Sequence, residues 1–524
     1  MNDKTTSPLR RLLAALPLLC ATLVASAQTA VVWQIDTTRA EQTIRHFGAS
    51  DAWSMQFVGL WPQAQQEQIA DWLFSTDNDA TGRPRGIGLS VWRFNLGAGS
   101  AEQGDSSQIQ PATRTECFLT PQGTYDWTRQ PGQRRFLQLA RRRGVPHFLA
   151  FLNSAPVYFT RNGLATNTGR GGTINLRDDC YDSVARFAAT VMRELERREG
   201  VHFDYFCPVN EPDGSWNWLG PKQEGSPATN REVARLARAV GREFRRQGVS
   251  TAVMVDESCD LRCLLGIHDT DWTRGHAIRS FFSPDSTATY LGNTPAVPRI
   301  INAHSYWTNT PVAFMRQIRE QLRDTLRRYN VAYWQTELCI MSNDNEIGGG
   351  AFYDYSMRTA LYVARVIHHD LVYGNAESWS WWRALGGDYR DGLIRVLSTD
   401  GWRTGKALPG KLMWTLGNYS RFVRPGAVRY DMTARDATGQ RVTDGDSDPH
   451  GVMVSAYRNT DGRWAVVAIN YSEAARPFTL SGVGRRTWKM YRTSDVEGES
   501  LTPVGQTDGS TVLEPQSVTT FVAD

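Results

Sequence analysis

Two apolar stretches each run into a glutamate, and that pairing constrains the chain more than any other feature. The first reads Phe203-Asp204-Tyr205-Phe206-Cys207-Pro208-Val209-Asn210-Glu211-Pro212. It opens as an aromatic, strand-forming run and closes on Asn-Glu-Pro, where proline brings no N–H to a ladder. Glu211 is thereby expected at the C-terminal edge of a strand, with Asn210 beside it. The second reads Val331-Ala332-Tyr333-Trp334-Gln335-Thr336-Glu337, again an apolar strand ending on a glutamate. Parallel α/β folds build their sites at that edge.

Strand and helix patterns alternate around these two stretches. Strands are predicted near 45–50, 88–95, 147–153, 203–211, 252–256, 299–304, 331–337 and 377–382. Between them, Val233, Leu236, Ala237, Val240 and Phe244, and later Phe314, Ile318, Leu322 and Leu326, recur at helical spacing. Eight strands separated by helices predict a (β/α)8 barrel over 45–418, with Glu211 and Glu337 on strands four and seven. After residue 419 helical periodicity gives way to short strands, and Asp461-Gly462 marks a hairpin. This predicts a β-sandwich over 419–524, completed by N-terminal strands in 28–44. With no low-complexity linker, the two domains are expected to pack together.

The ends and the composition narrow the class. Arg10 and Arg11 precede a short apolar run at 12–24, and Ala25-Ser26-Ala27 has the small-x-small pattern of a cleavage site. Residues 1–27 therefore read as a signal peptide and the protein as secreted or periplasmic. The apolar run is too short for a stable membrane span. A net charge of +4 on 524 residues gives no reason to expect a nucleic-acid partner. Of seven cysteines, Cys20 leaves with the signal; some of the other six are open to pairing after export. Cys259 and Cys263 lack the further ligands of a metal site, and no cofactor is expected. Cys207 and Cys339 read as small buried strand residues.

Two carboxylates on two strand ends of one barrel are the equipment of glycoside hydrolysis, one donating a proton and the other attacking the anomeric carbon. Several stretches point to the same family. They are His46-Phe47-Gly48-Ala49-Ser50, Arg93-Phe94-Asn95-Leu96-Gly97-Ala98-Gly99-Ser100, Pro208-Val209-Asn210-Glu211-Pro212 and Gln223-Glu224-Gly225. With them go His304-Ser305-Tyr306-Trp307, Trp334-Gln335-Thr336-Glu337 and Tyr419-Ser420-Arg421-Phe422-Val423-Arg424-Pro425-Gly426. In combination they resemble glycoside hydrolase family 30, of the retaining (β/α)8 clan with a side β-sandwich built from both chain ends.

The resemblance implies that Glu211 is the acid/base and Glu337 the nucleophile. A nucleophile must stay ionised, and Arg93 is expected to supply the positive charge. Asn210 is expected to bond the sugar 2-hydroxyl. His304 and Tyr306 are placed in the site from the end of strand six. Trp379 is read as the floor for the sugar ring, and Trp53, Trp216, Trp218, Trp307 and Trp381 as further platforms, some of them necessarily core because strand residues alternate faces. Glu224, Asp256, Glu257 and Glu346 are read as binding or solvated acids, not catalysts. The expected substrate is a β-linked polysaccharide and the expected state a monomer. The segments 48–53 and 210–216 look most like bacterial endo-β-1,6-galactanases. The alternatives are a xylanase or glucuronoxylanase, in which Arg383 would read a glucuronate, a β-1,6-glucanase, and a non-catalytic carbohydrate-binding protein.

Overall fold

The computed structural model describes residues 31–166, 172–214, 216, 222–442 and 451–524. The signal segment 1–27 and Trp218 lie outside these. Eight parallel strands close a barrel: His46–Ser50, Val91–Leu96, His147–Leu152, Tyr205–Cys207, Ala252–Val253 continued by Val255–Ser258, Ile300–His304, Ala332–Glu337 and Ser378–Gly386. The eighth strand pairs with the first, Ser378 opposite His46, which completes the ring. His147–Leu152 is nearly continuously buried, as parallel strands covered on both faces must be. The helices between them use the spacing seen in the sequence. Asn230–Gln247 starts on a capping box of Thr229 and Glu232 and stops at Gly248, whose φ of 68° lies in the left-handed region.

The fourth strand differs from its sequence reading. It ends at Cys207 because Pro208, not Pro212, interrupts the ladder. Glu211 therefore sits on the loop beyond the strand. Its backbone N–H donates to the carbonyl of Glu257 at 2.9 Å, and the Trp216 indole N–H donates to its carbonyl at 2.9 Å.

The second domain is a ten-stranded sheet system into which the N-terminal strand Val31–Thr43 is inserted. That strand runs antiparallel to Val428–Arg435 and parallel to Arg476–Ser481. Two strands, Val452–Arg458 and Trp464–Asn470, are buried on both faces. Period-two alternation divides them. Val452, Val454, Ala456, Trp464, Val466 and Ala468 face the sandwich's own core. Met453, Tyr457, Ala465, Val467 and Ile469 join the core of the barrel.

The crossover adds polar ties. Arg421 donates to the carbonyls of Ser75, Thr76, Asp77 and Gly86, and Arg424 to those of Gly88 and Ser420. The 419–426 motif thus fastens the barrel's 75–88 loop to the start of the sandwich. All six cysteines of residues 31–524 are buried free thiols, so the pairing left open by the sequence is not formed.

Because one apolar core crosses the domain boundary, residues 31–524 should unfold in a single calorimetric transition. Deleting 421–524 should expose the barrel side of that core and give aggregated protein. A soluble, cooperatively folded barrel would contradict this.

Candidate active site

Arg93, inward-facing on the second barrel strand, anchors the site. Its guanidinium is fully buried over the Phe151 ring, 3.7 Å from the centroid. One terminal nitrogen donates to Glu337 Oε2 at 2.5 Å; the other donates to Asn210 Oδ1 at 3.0 Å and to Glu257 Oε2 at 3.3 Å. Holding Oδ1 fixes the Asn210 amide and leaves its NH2 as the donor. Glu337, the last residue of the seventh strand, also accepts from the Tyr306 hydroxyl at 3.0 Å, and that hydroxyl lies 3.6 Å from the Cys339 sulfur.

His304, the last residue of the sixth strand, bridges the acids. Its Nε2 lies 2.8 Å from Glu257 Oε2, and its Nδ1 lies 3.0 Å from Glu211 Oε1 and 3.6 Å from Glu337 Oε1. With carboxylates at both nitrogens, the ring is a double donor. Burial opposes its charge, but Glu337 and the bonds to Glu211 and Glu257 outweigh it and raise the pKa to about 10. Burial also raises Glu337, with Glu211 adding to the rise, while His304 and Arg93 pull it back.

Glu257, read from the sequence as a solvated or binding acid, is neither. It is fully buried beneath the two glutamates, where it also accepts from Thr336 Oγ1 at 2.8 Å, Asn302 Nδ2 at 2.9 Å and the Cys207 thiol at 2.9 Å. Burial works against its ionisation, but Arg93 and His304 with the surrounding donors hold it well below the usual carboxylate range. Two other acids also depart from that reading. Burial raises Glu224 to about 7, and it accepts from the Ala98 and Ser100 N–H groups and the Ser100 hydroxyl, fixing the loop after strand two. Asp256 is raised to about 8 by burial and by Asp213. Glu346 accepts from Arg365 and from the Tyr471 hydroxyl, linking barrel to sandwich.

Glu211, His304 and Glu337 present ligand-type atoms within 4.8 Å of one another, a spacing that a cation would also use. Both His304 nitrogens lie against carboxylate oxygens, an arrangement that also suits the sharing of protons. The trio is built to hold and move protons.

The aromatic residues divide otherwise than expected. Trp379 and Trp381 are fully buried, with their N–H groups donated to Asp370 and to the Asp391 carbonyl, so neither is a sugar platform. Strand alternation turns Trp382 inward instead. Its ring lies 5.7 Å from the Arg93 guanidinium and packs edge-on against Trp53 at 5.3 Å. Trp216 is likewise buried, against Gly225, where it supports the Glu211 loop. Trp307 is 39% exposed beside Tyr306. One cavity of about 540 Å³ is lined by Trp53, Trp382, Met341 and Arg383, and another of about 520 Å³ by Asp213, Gly214, Trp307 and Asn343.

The chain matches the model of O-glycosyl hydrolase family 30 over residues 30–395, and that of the glycosyl hydrolase family 30 beta sandwich domain over 426–521. An endo-beta-1,6-galactanase of Hypocrea rufa is 25% identical over 42% of this chain and 48% of its own length, so the chain spans about half of that relative. A glucuronoxylanase of Bacillus subtilis is 28% identical over 69% of this chain and 71% of its own. A conserved exported protein from Bacteroides fragilis superposes with a TM-score of 0.86 at 34% identity, over 94% of this chain and 100% of that one. The catalytic domain of xylanase C from Talaromyces cellulolyticus shares the fold, with a TM-score of 0.65 at 20% identity over 94% and 100% of the two chains.

Two predictions follow from the buried charges. Glu257→Ala leaves Arg93 and His304 without their common partner and should destabilise the protein by about 3–5 kcal/mol in chemical denaturation. Since His304 holds its proton to about pH 10 when folded and to about 6.5 when unfolded, its contribution is fully present below about 6.5. It is lost as pH rises through about 10. Stability should therefore fall more steeply from pH 6.5 to 10 in the native protein than in His304→Gln; parallel curves would contradict the assignment.

Proposed function

The chain belongs to glycoside hydrolase family 30, whose members hydrolyse O-glycosidic bonds with retention, and from that premise we propose that it is an exported endo-β-1,6-galactanase. Glu211 and Glu337 carry the reaction. Glu337 attacks the anomeric carbon while Glu211 protonates the departing oxygen. Water, activated by Glu211, then hydrolyses the glycosyl-enzyme. The observation that carries this reading is the approach of the two carboxylates, whose nearest oxygens lie within 4.8 Å. Retaining pairs stand about 5–5.5 Å apart and inverting pairs about 6.5–9.5 Å, the latter to admit a water.

The partners support the division of roles. Glu337 meets a guanidinium, a hydroxyl and the His304 N–H, which favour the anion against the burial and the Glu211 charge that raise its pKa. Glu211 meets His304 and keeps a side-chain exposure of 17%, open to leaving groups and to water. Asn210, oriented by Arg93, is the donor for the 2-hydroxyl. The cavity that carries Trp53 and Trp382 and the one that carries Trp307 each have room for sugar units, which favours endo-action. Arg383, the side chain suited to a glucuronate, donates instead to Asp391 at 2.6 Å, which favours a neutral polymer. A second reading, glucuronoxylan, rests on Lys222 in the larger cavity and on the Bacillus subtilis relative.

Incubation with β-1,6-galactan, glucuronoxylan and β-1,6-glucan tests substrate and mode together. Short galacto-oligosaccharides should appear first and from the first polymer only; products from glucuronoxylan alone would establish the second reading. Glu337→Ala should lose hydrolysis and, with azide, give a glycosyl azide of inverted configuration. Glu211→Ala should slow poor leaving groups far more than activated ones, since only the former need the proton, by a factor on the order of 10²–10⁴. The opposite pattern in the two variants would reverse their roles.

A further inference from the structure

Glu257 makes no side-chain hydrogen bond to Glu211 or Glu337, yet it holds both cations that face them. We propose that Glu257 is a positioning residue that keeps His304 as an imidazolium, so that the buried cluster stays electrically balanced in both half-reactions. This rests on the roles given above to Glu211 and Glu337.

The geometry supplies the argument. Glu257 Oε2 receives His304 Nε2–H, Arg93 and Thr336, while Oε1 receives Asn302 and Cys207. Every donor around it suits a carboxylate and none suits its acid form. Among the other titratable neighbours, burial raises Asp213 and pushes the Cys259 and Cys339 thiols well up. Asp256 keeps its proton to about pH 8, and burial pushes the Cys207 thiol and the Tyr333 and Tyr306 hydroxyls well up. The charges to be balanced are therefore Arg93 and His304 against Glu257, Glu337 and Glu211.

With Glu211 as the acid and Glu337 as the nucleophile, the state that attacks has its proton on Glu211 and its charge on Glu337, so two cations face two anions. In the first step the Glu337 oxygen forms a bond to the anomeric carbon, the bond to the departing oxygen breaks, and the Glu211 proton goes to that oxygen. Glu337 is now a neutral ester and Glu211 an anion, and two cations again face two anions. In the second step water gives its proton to Glu211 and its oxygen to the anomeric carbon, and Glu337 leaves as a carboxylate. The negative charge thus passes between the two glutamates. His304 Nδ1–H lies 3.0 Å from one and 3.6 Å from the other, placed to follow it without moving. In a site this dry, an unmatched charge is costly. The balance requires Glu257 ionised and His304 protonated throughout.

Replacing Glu257 by its amide removes one anion at nearly constant volume. In Glu257→Gln the cluster before attack carries an excess positive charge, which losing a proton from the Glu211–His304 pair relieves. That pair should deprotonate earlier, as one coupled unit. The alkaline limb of kcat/KM against pH, measured with an aryl glycoside, should move down by roughly 1–3 units. Glu257→Asp, which keeps the charge, should restore much of that shift. A merely structural role predicts lower stability with the limb unmoved, and an unmoved limb overturns the proposal.

NMR of the unmodified protein gives a reading independent of folding of the variants and of turnover. His304 should show two ring N–H protons from pH 6 to 9. A single ring proton at pH 7 would overturn the proposal even if the enzyme is active. Two ring protons in a protein without glycosidase activity would leave the charge assignment standing and instead remove the functional reading.

Discussion

The structure depends on one buried carboxylate. Glu257, on strand five, sits where strands two, four, six and seven converge, and each of these four contributes a group that bonds to it. Removing a carboxylate from water costs several kcal/mol even after relaxation, so it is tolerated only where cations and donors are fixed in advance. The barrel provides that fixity. Arg93 is clamped by Phe151, Glu337 and Asn210, and His304 is caught between three acids. Placing so much charge in the interior is the physical reason for so rigid a surround, and the sandwich adds to it by packing the strands of Met453, Val467 and Ile469 against the barrel helix Met357–Val372.

Much of the fold was legible in the sequence because its signals are local. Apolar runs of strand length, helical stripes such as Val233 to Phe244, and the change of texture after the barrel each reflect a single element's need to bury one face. The exception, at strand four, is also local. Pro208 and Pro212 are both barred from the ladder, and the first one met ends it. This moves Glu211 from a strand end to a loop, where it depends on Glu257 and Trp216 for its position.

The site was less evenly legible. Glu211, Glu337, Arg93, Asn210, His304 and Tyr306 are brought together, and all but Arg93, which lies within strand two, sit at or just beyond a strand's end, which sequence can indicate. Glu257 was set aside because nothing near it in sequence marks a buried acid; its partners come from four other strands. The signal available was its place just beyond the apolar run of residues 252–255. The tryptophans were misjudged for another reason. In Ser378-Trp379-Ser380-Trp381-Trp382 the composition allows either face to be the inner one, and a one-residue error exchanges platform for core. Small Ser378 and Ser380 on the crowded inner face, with Trp379 and Trp381 outward among the helices, fix the parity that puts Trp382 at the site.

The most direct measurement is the identity of the residue that carries the sugar. A slowly turned-over fluorinated glycoside of the substrate sugar, reacted to completion and digested for peptide mass spectrometry, should leave one glycosyl unit on the peptide containing Glu337. The adduct should be absent in Glu337→Ala. Labelling of Glu211 or Glu257, or steady hydrolysis of that glycoside with inversion and no adduct, would contradict the account.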